Sequence, residues 1–159
     1  MINKRHTIRL QKLDYSLPNK FFVTICCHHH GCYIGQEPQL KLIINHELKK
    51  LDSYFSNINI PEYVIMPNHL HLIVEVIHQQ KDVTLGTIIR VLKSKIVNSW
   101  LKIIKADNLN SLASIWQRNY FEHRIRNEIE YQKYIKYIKL NPLNWEKDRY
   151  NPTNFHSIS

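Results

Sequence analysis

The stretch Met66-Pro67-Asn68-His69-Leu70-His71-Leu72-Ile73-Val74-Glu75-Val76 restricts the fold more than any other part of the chain. Its run over 70–76 is apolar and rich in β-branched residues, which predicts a strand. Pro67-Asn68 breaks the chain just before it, so this strand returns as a hairpin beside an earlier run over 58–66. On a strand, residues i and i+2 share a face, about 6.5–7 Å apart along the chain. His69 and His71 therefore project together, at the strand surface, while Leu70 points into the core. A strand presents two imidazoles to one metal ion in this way, although a chain with ten histidines also produces close pairs by chance.

The rest of the chain supplies partners for that strand. Residues 1–19 are basic and polar and end in a turn signal, Ser16-Leu17-Pro18-Asn19. A first strand is predicted over 20–27, followed by a loop over 31–38. Leu40, Ile43, Ile44, Leu48, Leu51 and Phe55 fall at helical spacing and predict a helix over 40–55. The second strand covers 58–66, with Pro61 near its start, and the third covers 70–76. After a polar loop at 78–82, a long helix over 84–104 carries Leu85, Ile88, Ile89, Leu92, Ile96, Val97, Trp100 and Ile104 on one side. A linker rich in Asn and Ser, over 106–114, leads to a fourth strand over 115–126. Asn127 caps a last helix with Glu130 as its capping-box partner, and Pro142 stops that helix near residue 140 or 141. The tail to residue 159 reads as irregular. The order β-α-β-β-α-β plus a helix is the ferredoxin-like pattern. It predicts an α+β chain with a four-stranded antiparallel sheet and two helices on one face. With 159 residues and no internal repeat, a single domain over 1–159 is expected.

The last helix carries chemistry of its own. Tyr131, Ile135 and Ile138 share the face expected to pack on the sheet. Tyr134, Tyr137 and Asn141 form an adjoining stripe at i, i+3 and i+7. Tyr137 falls at the edge of the core face, where a hydroxyl can be wet and reactive, and Asn141 lies one turn beyond it. Laid against the strand of His69 and His71, this helix would complete a site of two imidazoles, an amide oxygen and a phenol. Nitrogen and oxygen donors together suit Mg²⁺ or Mn²⁺ better than a closed structural zinc. On composition alone, each of the nine tyrosines is an amphipathic core residue with its hydroxyl at the surface.

The formal net charge is +9 and the pI about 9.5, an electrostatic footprint suited to nucleic acid. Arg90, Lys93 and Lys95 on the long helix are candidates to hold a strand, with Arg118 and Arg124 near the fourth strand. No run approaches the roughly 20 apolar residues of a membrane span, and the N-terminus lacks the apolar stretch of a signal peptide. A cytoplasmic chain is expected, with Cys26, Cys27 and Cys32 reduced. Cys26-Cys27-His28-His29-His30-Gly31-Cys32 matches no standard zinc spacing.

Pro67-Asn68-His69-Leu70-His71 resembles the His-hydrophobic-His motif of the HUH endonuclease superfamily. The stretch from Trp116 to Asn127, and Tyr137-Ile138-Lys139-Leu140-Asn141-Pro142, resemble the second and third signatures of single-tyrosine transposases. Within these the chain is most similar to the REP-associated tyrosine transposases, relatives of the insertion-sequence-200-like enzymes. The resemblance covers roughly residues 5–150, and three motifs in order are far more specific than one. It implies a ferredoxin-like fold, in agreement with the pattern above. It also implies roles: His69 and His71 as metal ligands, Tyr137 as nucleophile, and Asn141 as third ligand one helical turn after the tyrosine. Tyr134 and Tyr131 are followed at that interval by Ile138 and Ile135, which bind no metal, so Tyr137 is selected.

The activity so implied is a metal-dependent endonuclease and strand transferase acting on single-stranded DNA with hairpins. A phenol attacks a backbone phosphodiester, giving a 5′-phosphotyrosine and a free 3′-hydroxyl, while a divalent ion, Mg²⁺ or Mn²⁺, acts as Lewis acid and template. Insertion-sequence relatives are dimers that exchange the tyrosine helix. The REP-associated type is generally monomeric, and a monomer is the expectation here. The rival reading is a non-catalytic nucleic-acid-binding module on the same fold. A zinc hydrolase built on the histidine pair lacks a nearby carboxylate base, since Glu75 is roughly 13–20 Å along the same strand.

Overall fold

Along the chain, the computed structural model describes residues 19–78, 80–107 and 114–157. Most of the predicted Ser16-Leu17-Pro18-Asn19 turn and of the linker over 106–114 lies outside them. The elements are β1 (Asn19–Cys26), α1 (Tyr33–Gln36), α2 (Pro38–Tyr54), β2 (Ile58–Asn59), β3 (Tyr63–Ile65), β4 (His69–Val76), α3 (Leu85–Asp107), β5 (Phe121–Ile125) and α4 (Glu128–Leu140). Short 3-10 turns occupy His28–His30, Asn141–Lys147 and Pro152–Ser157. No helix among the described residues is long and apolar enough to cross a membrane.

The sheet is antiparallel throughout, in the order β2-β4-β1-β5, with β3 also paired to β4. β2 and β3 are two pieces of the edge strand predicted over 58–66. They part around Pro61, which has no N–H to give a ladder, although the Glu62 carbonyl still accepts the Ile73 N–H at 2.9 Å. Counting these pieces as one strand restores the expected ferredoxin-like sheet.

β1 and β4 lie in the middle and are buried along nearly their whole length. Burial of that kind requires cover on both faces of the sheet. On one face Phe21, Val23, Ile25, Leu70, Leu72 and Val74 meet Leu40, Ile44, Leu48, Leu51, Ile88, Leu92, Ile96 and Trp100 from α2 and α3. Trp100 is 1% exposed, and truncating a buried Trp to alanine costs about 3–5 kcal/mol. On the other face Phe22, Ile73 and Ile125 meet Ile138, with Tyr131, Tyr134 and Ile135 of α4 packed around them. The predicted packing face of the last helix is therefore the one in use. Asn127 caps this helix as expected, its Oδ1 accepting the Glu130 N–H at 2.9 Å, while Glu130 Oε2 reaches one residue beyond the cap, to the Arg126 N–H at 2.7 Å.

Three stretches differ from expectation. The loop over 31–38 contains α1, whose Gly35 N–H donates to the Pro67 carbonyl at 3.0 Å. A Cβ on Gly35 would lie 3.0 Å from Pro67 Cβ, so glycine allows α1 to buttress the break that precedes the histidines. The fourth strand, expected over 115–126, is reduced to Phe121–Ile125 plus an isolated bridge between Cys27 and Trp116. Between them Lys93 Nζ donates to the carbonyls of Gln117, Arg118 and Asn119 at 2.9, 3.3 and 3.4 Å, diverting them from a ladder. The tail expected to be irregular is instead the pair of 3-10 turns at Asn141–Lys147 and Pro152–Ser157, folded against the start of β4.

Candidate active site

β4 turns His69 and His71 toward the face covered by α4, in register with Cys26 and Thr24 of β1. The expectation that they lie at the strand surface is overturned: their relative exposures are 0% and 1%. The cover comes from residues whose place the strand pattern did not reveal. The Tyr150 ring lies 4.6 Å from that of His69, with Trp145 at 6.2 Å. Phe22 and Tyr137 lie 5.1 and 5.2 Å from His71.

Hydrogen bonds fix how the two imidazoles present themselves. Asn68 Nδ2 donates to the carbonyls of His30 and Tyr150 at 2.9 and 2.7 Å. Its Oδ1 is thereby the atom facing His69 Nδ1, 2.8 Å away, and His69 Nδ1 carries the hydrogen. His71 Nδ1 pairs with Thr24 Oγ1 at 2.7 Å. The two Nε2 atoms converge at 3.1 Å. Burial pushes the His69 pKa down to about 3, with His30 and Arg149 adding to the effect. Burial also drives His71 well below its ordinary value, helped by His69 and Arg149. Both rings are thus neutral, with their Nε2 atoms facing each other.

A divalent cation fits this donor set. Cis nitrogen ligands at ordinary bond lengths stand about 3 Å apart. Asn141, at the end of α4, is 3% exposed, and its Oδ1 is buried with no hydrogen-bond partner among the described residues. Hydrogen-bonded partners on the outer nitrogens, here Asn68 and Thr24, orient ligating histidines in metal sites generally. Among the described residues, no three or more His, Cys, Asp or Glu side chains are placed to hold a metal ion, so a third donor beside the histidine pair would have to be of another type, such as the Asn141 amide.

Tyr137 is 42% exposed and stands at the wall of a cleft of about 530 Å³ that also contains Phe22, Thr24, His71, Phe121, Tyr134, Leu140 and Tyr150. Burial raises its phenol above the ordinary value and the Asp148 charge adds to this, while a hydrogen bond from Asn141 lowers it. Of the other two tyrosines of the helix, Tyr134 lines the same cleft and Tyr131 does not. Tyr134 stacks on Phe22 at 4.3 Å and lies 5.4 Å from His123. Tyr131 sits under the Lys20 ammonium, 4.2 Å from its ring centre.

A family model described as IS200-like transposase matches residues 23–141. The chain belongs to the IS200-like transposase family. An uncharacterized protein of Haemophilus influenzae is 34% identical to it over 174 residues, covering 93% of this chain and 93% of that protein. The solved structure of a REP-associated tyrosine transposase bound to a REP hairpin superposes with a TM-score of 0.61 and 22% identity, covering 86% of this chain and 73% of that one. At that identity the likeness is one of fold.

The cations of this IS200-like transposase fall into two groups. Arg90, Lys93 and Arg118 line a second cleft, of about 450 Å³, beside the start of α3. α3 packs on the sheet face opposite α4. Lys93 is committed to three carbonyls, and Lys95 lies over the Tyr54 ring at 4.8 Å. Arg124 is exposed on β5, in register with Phe21 of the α2–α3 face. None of the five lines the Tyr137 cleft. The cations that do are Lys133, Lys136 and Arg149. Sequence reasoning passed over all three. Lys133 and Lys136 each immediately precede a tyrosine of the Tyr134–Tyr137 stripe, a signal that could have found them. Arg149 lay in the tail taken as irregular. Sequence reasoning also missed Asn68 and Thr24; Asn68, next to His69, was the more findable.

Proposed function

We propose that this IS200-like transposase is an HUH-type, metal-dependent endonuclease and strand transferase for single-stranded, hairpin-containing DNA, working in the cytoplasm as a monomer. Tyr137 is the nucleophile. His69, His71 and Asn141 hold the divalent ion, Mg²⁺ or Mn²⁺. The observation that carries this reading is a solvent-reaching phenol 5.2 Å from His71, whose Nε2 converges with that of His69 at 3.1 Å.

Lys133, Lys136 and Arg149 would hold backbone phosphates, and the apolar wall of Phe121 and Leu140 would take the face of an unpaired base. The Tyr137 oxygen attacks phosphorus as its proton passes to solvent. The P–O3′ bond breaks, and the 3′ oxygen leaves and takes up a proton. One phosphoester replaces another, so the strand can be rejoined by the reverse attack. When bound, a divalent ion held by His69, His71 and Asn141 would supply Lewis-acid polarisation of the phosphate oxygens. Asn68 and Thr24 hold the His69 and His71 rings with their Nε2 atoms directed toward each other, and burial keeps both rings neutral. Because Tyr137 and His71 approach each other within one chain, the site needs no helix from a second copy.

The solved relative of similar fold carries a REP hairpin, which makes labelled single-stranded hairpin DNA with Mn²⁺ the substrate to test. A denaturant-resistant protein–DNA adduct is expected, with the nucleotide on Tyr137 by mass spectrometry. Tyr137→Phe should abolish it while DNA binding persists, and Tyr134→Phe should retain it. Attachment at Tyr134 or Tyr131 would refute the assignment. Tight hairpin binding with no adduct under any metal would favour the non-catalytic module.

A further inference from the structure

We propose that Arg149, positioned by Tyr150, holds the scissile phosphate against Tyr137 and stabilises the charge that gathers on it during cleavage. This catalytic role is distinct from the grip of Lys133 and Lys136 on the flanking strand. The inference rests on the reading of Tyr137 as nucleophile. Arg149, Tyr137, Tyr150 and His71 line the same cleft. Burial is the largest influence on the pKa values of His69, His71 and Tyr137, and the Arg149 charge acts on all three, in the lowering direction. A phosphate that Tyr137 can reach beside the histidine pair is therefore within the field of this guanidinium. Arg149 belongs to none of the ion pairs among the described residues, so its charge is available to a phosphate.

Its position is fixed, unlike that of the two lysines. Lys133 and Lys136 are exposed on α4, compact charges on flexible stems. Arg149 Nη2 donates to the Tyr150 hydroxyl at 2.6 Å, and the guanidinium carbon lies 4.7 Å from the centre of the same ring. Tyr150 is itself held. Its N–H donates to Asp148 Oδ1 and its carbonyl accepts from Asn68 Nδ2, both at 2.7 Å. Its ring lies 4.6 Å from that of His69 and 6.2 Å from that of His71. Asn68 Oδ1 faces His69 Nδ1 at 2.8 Å, so one amide ties His69 to the residue that positions Arg149. A guanidinium presents several N–H donors in a planar fork, and the contact to Tyr150 engages one nitrogen. The remaining donors match a pair of phosphate oxygens. As the bond from the Tyr137 oxygen to phosphorus forms and the P–O3′ bond breaks, negative charge shifts onto the non-bridging oxygens, where fixed donors contribute most. Arg149 stays protonated throughout and exchanges no proton. The residue lies beyond the segment 23–141 matched by the family model.

The test is single-turnover adduct formation by the full chain on labelled single-stranded hairpin DNA with Mn²⁺, at saturating DNA, with hairpin binding measured in parallel. Arg149→Ala should slow the adduct at least about a hundredfold, while the Kd rises less than about fivefold. Arg149→Lys keeps the charge without the fork and should stay at least about tenfold below wild type. Tyr150→Phe keeps the ring over His69 and loses the hydroxyl. It should slow the adduct about tenfold with the Kd unchanged, and add nothing when combined with Arg149→Ala. A methylphosphonate at the scissile position replaces one charged oxygen with a methyl group. It should slow the wild type at least about tenfold more than it slows Arg149→Ala. Equal slowing of the two, or an Arg149→Ala rate within about threefold of wild type on ordinary DNA, overturns the proposal; loss of the adduct in Tyr137→Phe would then leave the nucleophile standing. An adduct retained by Tyr137→Phe, or none from the wild type on any hairpin, removes the nucleophile and this proposal with it.

Discussion

His69→Ala should unfold more easily than the wild type by about 3 kcal/mol, an amount that follows from where the ring lies. His69 is 0% exposed, and its neighbours Asn68 and His71 in its own segment and Tyr150 in the C-terminal turns enclose it from two separate parts of the chain. Emptying a buried ring site of this size costs about 2–4 kcal/mol in lost contacts and cavity. Asn68 Oδ1 also loses its donor, worth about 1–2 kcal/mol when nothing replaces it. Relief from burying a polar ring, and water entering the hole, return part of this. The remainder is a sizeable fraction of a total stability of about 5–15 kcal/mol. Urea unfolding in chelator, at neutral pH, measures it without interference from metal binding. His69→Gln, which keeps much of the volume and can donate to Asn68, should cost less than about 1.5 kcal/mol. Loss of DNA cleavage should therefore be scored on the Gln variant. A midpoint for His69→Ala within about 0.5 kcal/mol of wild type would refute the reasoning, because it would mean the ring is not packed as described.

Other outcomes follow from the placement of charges. Replacing Lys133, Lys136 and Arg149 together by alanine should flatten the salt dependence of hairpin binding by a slope of about 2, at about 0.7 per phosphate released; fluorescence anisotropy over a salt series measures it. Lys93→Met should leave that slope unchanged and lower stability by about 1.5–3 kcal/mol, through loss of its charged hydrogen bonds to three carbonyls. Glu130 is held below the usual carboxylate range by the Arg126 N–H and then by the His123 ring. Its folded-state pKa is depressed, so its contribution is full above the unfolded value near 4.5 and is lost as pH falls through the folded one. Glu130→Gln should accordingly flatten the acid limb of a melting series, and an unchanged limb would count against the cap.

The elements legible in the sequence are those whose order comes from periodic burial. Helices α2 and α3 follow their i, i+3, i+4 apolar spacing, and β1 and β4 follow their β-branched runs. Even the second cover over the sheet left a trace. Residues 21–27 and 70–76 are almost continuously apolar, whereas a sheet open on one face would alternate. The C-terminal turns left no such trace, because their order comes from specific polar contacts. Asn144 Nδ2 donates to the Leu140 carbonyl at 3.1 Å, Asn151 Nδ2 to Trp145 at 3.0 Å, and Asn154 Nδ2 to Glu146 at 3.0 Å. A segment rich in Asn, Pro and Asp reads as a loop until its tertiary partners are known. Lys93 makes the same point in reverse. On a helical wheel it is a solvated cation, and only the fold brings the three carbonyls to it.

The burial of the histidines and the exposure of Tyr137 are two results of one packing arrangement. α4 lies on the sheet through Ile138, Ile135 and Tyr131, which leaves Tyr137 at the rim with 42% of its surface open. The chain then turns back at Asn141 and brings Trp145, Asp148 and Tyr150 over His69. Metal ligands gain from being dry, because their neutral, lone-pair-bearing form is then held without competition from protons. A nucleophile that must meet a polymer gains from being wet and reachable. In the proposed reaction, burying Tyr137 with His69, His71 and Asn141 would shut the DNA out, and exposing all four would let both rings protonate near their ordinary value. The single reversal of the chain after α4 separates these needs across about one ring-to-ring contact, 5.2 Å from Tyr137 to His71. Truncating the chain after Asn141 should thus preserve the nucleophile and the helix while exposing the histidines, and metal affinity should fall more steeply with acid than in the full chain.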